Sequence, residues 1–168
     1  MLPVSTPSSA DVLHLDVYTP TGCCGTGSTK FRLTNVYSRS LPGSKKSVDP
    51  PDALPYVPFP CLAAGEFNIH NHAVDPLRVI SRSGEKASTP CFNRATDLAY
   101  SLLNTPGVYT RFPLSGFFRP SAIDLTFANP LISPAFRSWD ATTLPSTGSD
   151  HVPVLIHLAA PRDERASP

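Results

Sequence analysis

Apolar and polar residues alternate near the start of the chain, and this alternation predicts two β-strands. Over residues 11–18, Asp and His side chains alternate with Val and Leu, as expected for a strand with one buried face. A similar run follows at residues 31–37, after a turn-rich segment at residues 19–29 that holds three glycines. We therefore expect a hairpin whose loop, of about ten residues, is longer than most hairpin loops.

Proline interrupts this pattern between residues 42 and 60, where Ser, Lys and Asp accompany six prolines, and we expect an irregular loop. Apolar character returns at residues 59–64, which predicts a third strand. Apolar residues then recur at steps of three and four over residues 93–103. This spacing predicts an amphipathic helix that is capped by Thr89 or Asn93 and ends at Pro106-Gly107. Short strands are expected after it, at residues 108–110, 122–128, 136–140 and 152–158.

Predicted strands outnumber predicted helices, and this balance favours a layered α/β or α+β domain. The 168 residues suffice for one domain. We expect the domain to cover residues 11–160, with a disordered lead at residues 1–10 and a polar, disordered tail at residues 161–168.

Three polar clusters stand at the edges of apolar runs. They are Gly65-Glu66-Phe67-Asn68, Ser121-Ala122-Ile123-Asp124-Leu125 and Gly148-Ser149-Asp150-His151. An ionisable side chain beside a buried segment is costly, so these clusters predict a chemical site.

The residues of the clusters, and the order of the clusters along the chain, resemble the motifs of the endonuclease/exonuclease/phosphatase family. The family's Gly-Asp-Phe-Asn, Ile-Asp-Leu and Ser-Asp-His are matched by Gly65-Glu66-Phe67-Asn68, Ile123-Asp124-Leu125 and Ser149-Asp150-His151. The surrounding residues look most like the endonuclease domain of LINE-type (non-LTR) retrotransposons found in fungi. The resemblance implies a four-layer sandwich of two packed β-sheets flanked by helices, and hydrolysis of DNA phosphodiester bonds with Mg²⁺ or Mn²⁺.

The resemblance also implies a role for each matched side chain. His151 corresponds to the histidine that acts as general base or stabilises charge on the phosphate, and Asp124 to the carboxylate that orients it. Glu66 takes the place of the aspartate that holds the attacking water, and its extra methylene implies a weaker base. Asn68 and Tyr37 are expected to contact the phosphate. Asp150 is the expected metal ligand.

The family's upstream strands, one with an asparagine and one with the main metal-ligating glutamate, have no counterpart before Glu66. We therefore expect an N-terminally incomplete domain with weak or absent catalysis. Because Mg²⁺ prefers oxygen ligands, its expected site is short of one ligand. A non-catalytic pseudo-nuclease that binds nucleic acid or protein is the alternative function.

Composition limits the possible partners. A formal net charge of +1 gives no polybasic signature of non-specific nucleic-acid binding. No apolar stretch is long enough to span a bilayer, and the first residues lack the pattern of a secretory signal. Four cysteines without metal-ligand spacing favour reduced thiols. We expect an intracellular, nuclear protein that acts on DNA or RNA and needs no small-molecule cofactor; the oligomeric state is left open.

Several of these residues have plainer interpretations. Asp124 could be a buried acid satisfied by backbone amides, Tyr37 an aromatic residue of the core or a sheet edge, and Asp150-His151 a surface pair. Arg111 and Arg119 flank an aromatic loop, so they are candidates for nucleic-acid binding, but they could equally be solvated side chains over a partly buried aromatic cluster. His70 and His72 lack a third ligand at useful spacing for a metal.

Overall fold

The structure, a computed structural model, describes residues 11–20, 28–41, 45–46, 50–114, 118–142 and 148–159. The disordered lead and tail expected from the sequence lie outside these residues. The strands are β1 Val12–Pro20, β2 Ser28–Tyr37, β3 Ser40–Leu41, β4 Lys45–Lys46, β5 Cys61–Glu66, β6 Ser101–Leu102, β7 Asp124–Ala128, β8 Phe136–Asp140 and β9 Leu155–Leu158. The helices are α1 Pro50–Ala53 and α2 Arg82–Asp97, and a 3-10 turn lies at Ser133–Ala135.

The predicted hairpin is confirmed. β1 and β2 pair antiparallel from Val12 opposite Val36 to Pro20 opposite Ser28. Alternate residues of β1 are buried, and His14 and Asp16 take buried positions beside Val12. Burial of these polar groups is possible because each has a partner: His14 Nδ1 lies 3.0 Å from Thr34 Oγ1, and Asp16 accepts from Arg32 Nε at 2.8 Å.

Five strands form the main sheet, in the order β1-β2-β5-β7-β6. β5 runs parallel to β2 and antiparallel to β7. One face of this sheet packs against α2, whose buried residues Cys91 and Ala95 join a core that includes Phe67 and Phe127. The other face packs against the β8–β9 sheet, since Leu62 and Ala128 form a cluster with Ile156 and Leu158. The predicted mixed α/β sandwich with two packed sheets is therefore confirmed.

The predicted helix is wrong in its limits. α2 covers Arg82–Asp97 rather than residues 93–103, and its N-cap is Ser81, whose Oγ accepts from Gly84 N at 3.2 Å. The helix ends before Ala99, which has a positive φ of 54°. The apolar spacing that suggested a longer helix has another cause. Leu102 packs on the α2 side of the sheet and Leu103 on the opposite side, which is the two-residue period of a strand.

The structure differs from two other expectations. The segment 108–110 is no strand; Arg111, directly after it, forms isolated bridges to Ser121 and to His151. The last strand begins at Leu155 rather than at residue 152. Within the proline-rich segment 42–60, α1 and β4 are short, and Leu54, directly after α1, is fully buried in the core.

Candidate active site

Three of the predicted site residues stand side by side at one end of the main sheet. Glu66, the last residue of β5, pairs with Tyr37 on β2 and with Asp124, the first residue of β7. Directly paired residues point to the same face of a sheet, so these three side chains share a face. It is the face on which β8–β9 packs, since Leu62 and Ala128 occupy the same face further along the strands. The sheet thus brings together residues that are far apart in the sequence.

The glycine before Glu66 is required by close backbone contact. Gly65 has a φ of 138°, and a Cβ there would lie 2.1 Å from the carbonyl oxygen of Val36. No side chain fits at that distance, so β5 approaches β2 at this point only with glycine. Ser38 N then donates to Glu66 O at 2.7 Å, and Phe67 N donates to Ile123 O at 2.9 Å. Glu66 is held between neighbouring segments on both sides.

Asn68 turns back toward Glu66. Its φ of 52° lies in the left-handed region, which asparagine tolerates better than most residues. The side-chain amide donates to Ser38 O at 3.0 Å and to Glu66 Oε1. Asn68 therefore fixes the Glu66 carboxylate, while Phe67 between them is buried in the core, 5.5 Å from Phe127 between ring centroids.

His151 lies between two carboxylates. Its Nδ1 is 2.9 Å from Asp124 Oδ2, and its Nε2 is 3.8 Å from Glu66 Oε2. Since a carboxylate only accepts hydrogen bonds, Nδ1 carries the hydrogen and donates to Asp124. The backbone of His151 is fixed as well, because its N–H donates to Ser149 Oγ at 3.1 Å. Asp124 thus orients the imidazole ring in this structure.

Two residues that were not predicted from the sequence hold the backbone at Asp124. Thr110 is fully buried, and its Oγ1 accepts from the N–H groups of Ile123 at 3.2 Å and Asp124 at 3.1 Å. Asn104 donates to Asp124 O at 2.9 Å and accepts from Thr126 N at 2.8 Å. Isolated polar residues in irregular segments give no periodic signal, so only their spatial neighbours identify them.

Asp150 is not part of this group. Its carboxylate accepts from Arg111 Nε at 2.9 Å, and this hydrogen bond holds the pKa of Asp150 below its usual value. Phe112 N also donates to Asp150 O at 2.6 Å. Arg111, predicted to bind nucleic acid, is thus paired with the predicted metal ligand, and both the binding role of Arg111 and the metal role of Asp150 remain predictions.

Arg119, the other predicted nucleic-acid contact, lines a cleft of about 390 Å³. Arg78 and Tyr109 also line it, and Arg78 donates to Pro120 O at 3.3 Å and lies 3.7 Å from Asp75. Tyr109 directly precedes Thr110, so the cleft adjoins the segment that supports Asp124. Leu77 and Val79, also in the wall, are 91% and 96% exposed, and Asp75 and Pro120 complete it. The cleft therefore combines two cationic groups with one acidic, one aromatic and several apolar groups.

The potential metal ligands come from three motifs. Glu66, Asp124 and His151 each offer one donor atom within 4.8 Å of the others, and they form the single such group among the described residues. His70 and His72 do not belong to it. Tyr37 is 51% exposed at the edge of the group, so it is not a core aromatic. The structure thus brings Tyr37, Glu66, Asn68, Asp124 and His151 to one sheet end.

Comparison with solved structures identifies a similar fold. The endonuclease domain of TRAS1, a telomere-specific non-LTR retrotransposon, matches with a TM-score of 0.60 at 13% sequence identity, over 90% of this chain and 65% of that chain. This chain thus spans less than two thirds of the length of that structure. No protein-family model and no curated protein sequence matches this chain. The likeness confirms the predicted resemblance to retrotransposon endonuclease domains at the level of the fold.

Proposed function

We propose that the chain is a divalent-metal-dependent phosphodiesterase of endonuclease type, with DNA as its substrate. The observation that carries the proposal is the placement of His151 between Asp124, at 2.9 Å, and Glu66, at 3.8 Å, on one end of the sheet. The fold shared with a retrotransposon endonuclease domain supports it.

A phosphodiester resists attack because its oxygens are negatively charged, so catalysis needs positive charge, a source of hydroxide and positioning. His151 and Glu66 are the side chains placed to act on water and phosphate, and Asp124 and Asn68 hold them in position. Tyr37, exposed beside Glu66, is placed to contact a phosphate oxygen. Each role is inferred from a contact with Glu66 or His151, or from a position beside Glu66 at this end of the sheet.

Glu66 and His151, with Asp124 bound to the far nitrogen of the ring, would hold the divalent ion, which supplies positive charge to the phosphate and lowers the pKa of a bound water. Their donor set includes an imidazole nitrogen. Of the two ions expected from the sequence, Mn²⁺ accepts such a ligand more readily than Mg²⁺. Asp150, whose Oδ2 accepts from Arg111, does not belong to this group of donor atoms.

The cleft lined by Arg78, Tyr109 and Arg119 supports nucleic acid as the substrate. Arginine binds phosphate, and an aromatic ring can stack on a base. None of the described helices is long and apolar enough to cross a membrane. We place the protein in the nucleus, where DNA is accessible.

Nicking of supercoiled plasmid DNA tests this proposal. We expect slow conversion to the open circular form with Mn²⁺, because Glu66 is one methylene longer than the family's aspartate and a displacement of about 1 Å can cost about a hundredfold in rate. Chelator and His151→Ala should abolish the reaction. His157→Ala is the matched control, since His157 is exposed on β9 and contacts Ser138 instead. Equal nicking by wild type and His151→Ala would refute the proposal.

A second function, binding of nucleic acid without turnover, is favoured by one observation: Asp150, the predicted metal ligand, is paired with Arg111 and lies outside the group of donor atoms formed by Glu66, Asp124 and His151. Under this alternative a folded chain binds oligonucleotides in chelator, and His151→Ala leaves the affinity unchanged. Fluorescence anisotropy with a labelled oligonucleotide, beside the nicking assay, separates the two functions.

A further inference from the structure

Two donor atoms at the sheet end face each other at a distance suited to one metal ion. His151 Nε2 and Glu66 Oε2 are 3.8 Å apart. Zinc-ligand bonds to nitrogen and carboxylate oxygen are about 2.0–2.2 Å long, so two ligands of one ion can be separated by up to roughly 4.2 Å. The two side chains can therefore share an ion with little movement.

The hydrogen bond at Nδ1 prepares the imidazole ring to be a ligand. Because Nδ1 donates to Asp124, the lone pair of the neutral ring is on Nε2, the atom that faces Glu66. A carboxylate at the far nitrogen is the usual support of a metal-bound histidine, since it fixes the tautomer and the ring orientation. Asp124 is itself fixed at its backbone by Thr110 and Asn104.

The Glu66 carboxylate is supported in the same way. The Asn68 amide donates to Oε1, which leaves Oε2 as the oxygen nearer the ring, and Asn68 is anchored by its second bond to Ser38 O. The backbone oxygen of Glu66 accepts from Ser38 N. Both donor atoms therefore belong to side chains whose other polar atom is already bound, as in a site organised before the ion arrives.

We propose that Glu66 and His151 ligate one divalent transition-metal ion, such as Zn²⁺, Co²⁺ or Mn²⁺, in preference to Mg²⁺, and that Asp124 and Asn68 support these ligands. The donor set decides the class of ion. Imidazole suits Zn²⁺ and neighbouring transition metals, whereas Mg²⁺ takes oxygen ligands in near-octahedral geometry. The inference refines the proposed function, on which its catalytic meaning rests: in the metal-loaded protein His151 would act on water and phosphate as a ligand of the ion and not as a general base.

Metal binding can be measured apart from activity. The test uses the full chain with Cys23→Ser and Cys24→Ser, because thiolates bind the same ions. Co²⁺ is followed by its visible absorption, and Zn²⁺ by competition with a chromophoric indicator. We expect one ion per chain, loss of binding in His151→Ala and in Glu66→Gln, and unchanged binding in His157→Ala. Thermal melts of each variant confirm that it is folded.

Asp124→Asn tests the supporting role. It keeps the shape of the side chain but removes the negative charge beside Nδ1, and we expect a 10- to 100-fold weaker affinity for Zn²⁺, as is typical when the partner of a metal-bound histidine is changed. Unchanged binding in folded His151→Ala, or a thermal stabilisation by Mg²⁺ equal to that by Zn²⁺, would overturn the inference.

The two proposals fail differently. Zn²⁺ or Co²⁺ binding that depends on His151, without any nicking of DNA, supports the metal site and counts against the endonuclease function. Nicking with Mg²⁺ alone, by a protein that shows no Co²⁺ absorption, supports the function and refutes the transition-metal site.

Discussion

Thr110→Val should destabilise the chain without changing the volume of its core. Thr110 is fully buried, and its hydroxyl oxygen accepts two backbone hydrogen bonds, from Ile123 N and Asp124 N. Valine replaces the hydroxyl by a methyl group of similar size, so both N–H groups lose their partner. Each unpaired buried donor costs about 1–3 kcal/mol.

The two bonds are 3.2 and 3.1 Å long, toward the weak end of the range for such contacts. Two such donors would together cost about 2–6 kcal/mol, and because both bonds are long we expect a loss of about 2–4 kcal/mol in the free energy of unfolding. Urea unfolding followed by fluorescence suits this chain, because it has one tryptophan, Trp139, which is buried and donates to Thr126. The midpoint should fall with an unchanged m-value.

Thr96→Val is the matched control for this substitution. Thr96 is exposed on α2, and its hydroxyl donates to Phe92 O within the helix. Its replacement leaves no buried group unpaired, so the change should stay within about 0.5 kcal/mol. If Thr110→Val were as stable as Thr96→Val, the hydroxyl of Thr110 would not be what holds the backbone at Asp124.

Two further predictions concern backbone packing and charge. Gly65→Ala places a Cβ 2.1 Å from Val36 O at a φ of 138°, and should cost more than about 3 kcal/mol or prevent folding; an Ala variant with wild-type urea midpoint would contradict this. Asp16, bound by Arg32 and Lys30, has its pKa lowered to about 2 from 3.8. The Asp16 carboxylate therefore stabilises the folded state above pH 4 by on the order of 2 kcal/mol, and this stabilisation is lost as the pH falls toward 2. Urea melts of Asp16→Asn should lack this part of the acid destabilisation.

The parts of the fold that sequence predicted are those in which a local pattern has a single interpretation. Alternation over residues 11–18 and 31–37 predicted the β1–β2 hairpin, because a strand with one buried face has period two. The helix was misplaced because Leu98, Leu102 and Leu103 mimic helical spacing across a turn. The true helix begins in a polar, exposed segment after Ser81, where few apolar residues mark its course.

The sequence likewise predicted some residues of the candidate site and not others. Glu66, Asp124 and His151 stand directly at the ends of apolar runs, so their positions could be found along the chain. Thr110 and the pairing of Arg111 with Asp150 could not, since the latter joins residues 39 positions apart through an irregular segment. Recognising such contacts requires the tertiary structure, in which Arg111 bridges both Ser121 and His151.

The register between β5 and β7 is the structural condition for the whole site. A shift of one residue would turn Asp124 to the opposite face of the sheet and remove it from His151. On the β7 side the register is fixed by Phe67, whose N–H donates to Ile123 O and whose ring is buried against Phe127. The residue that follows Glu66 therefore also aligns the strand that carries Asp124, so packing next to the site determines whether both carboxylates reach His151.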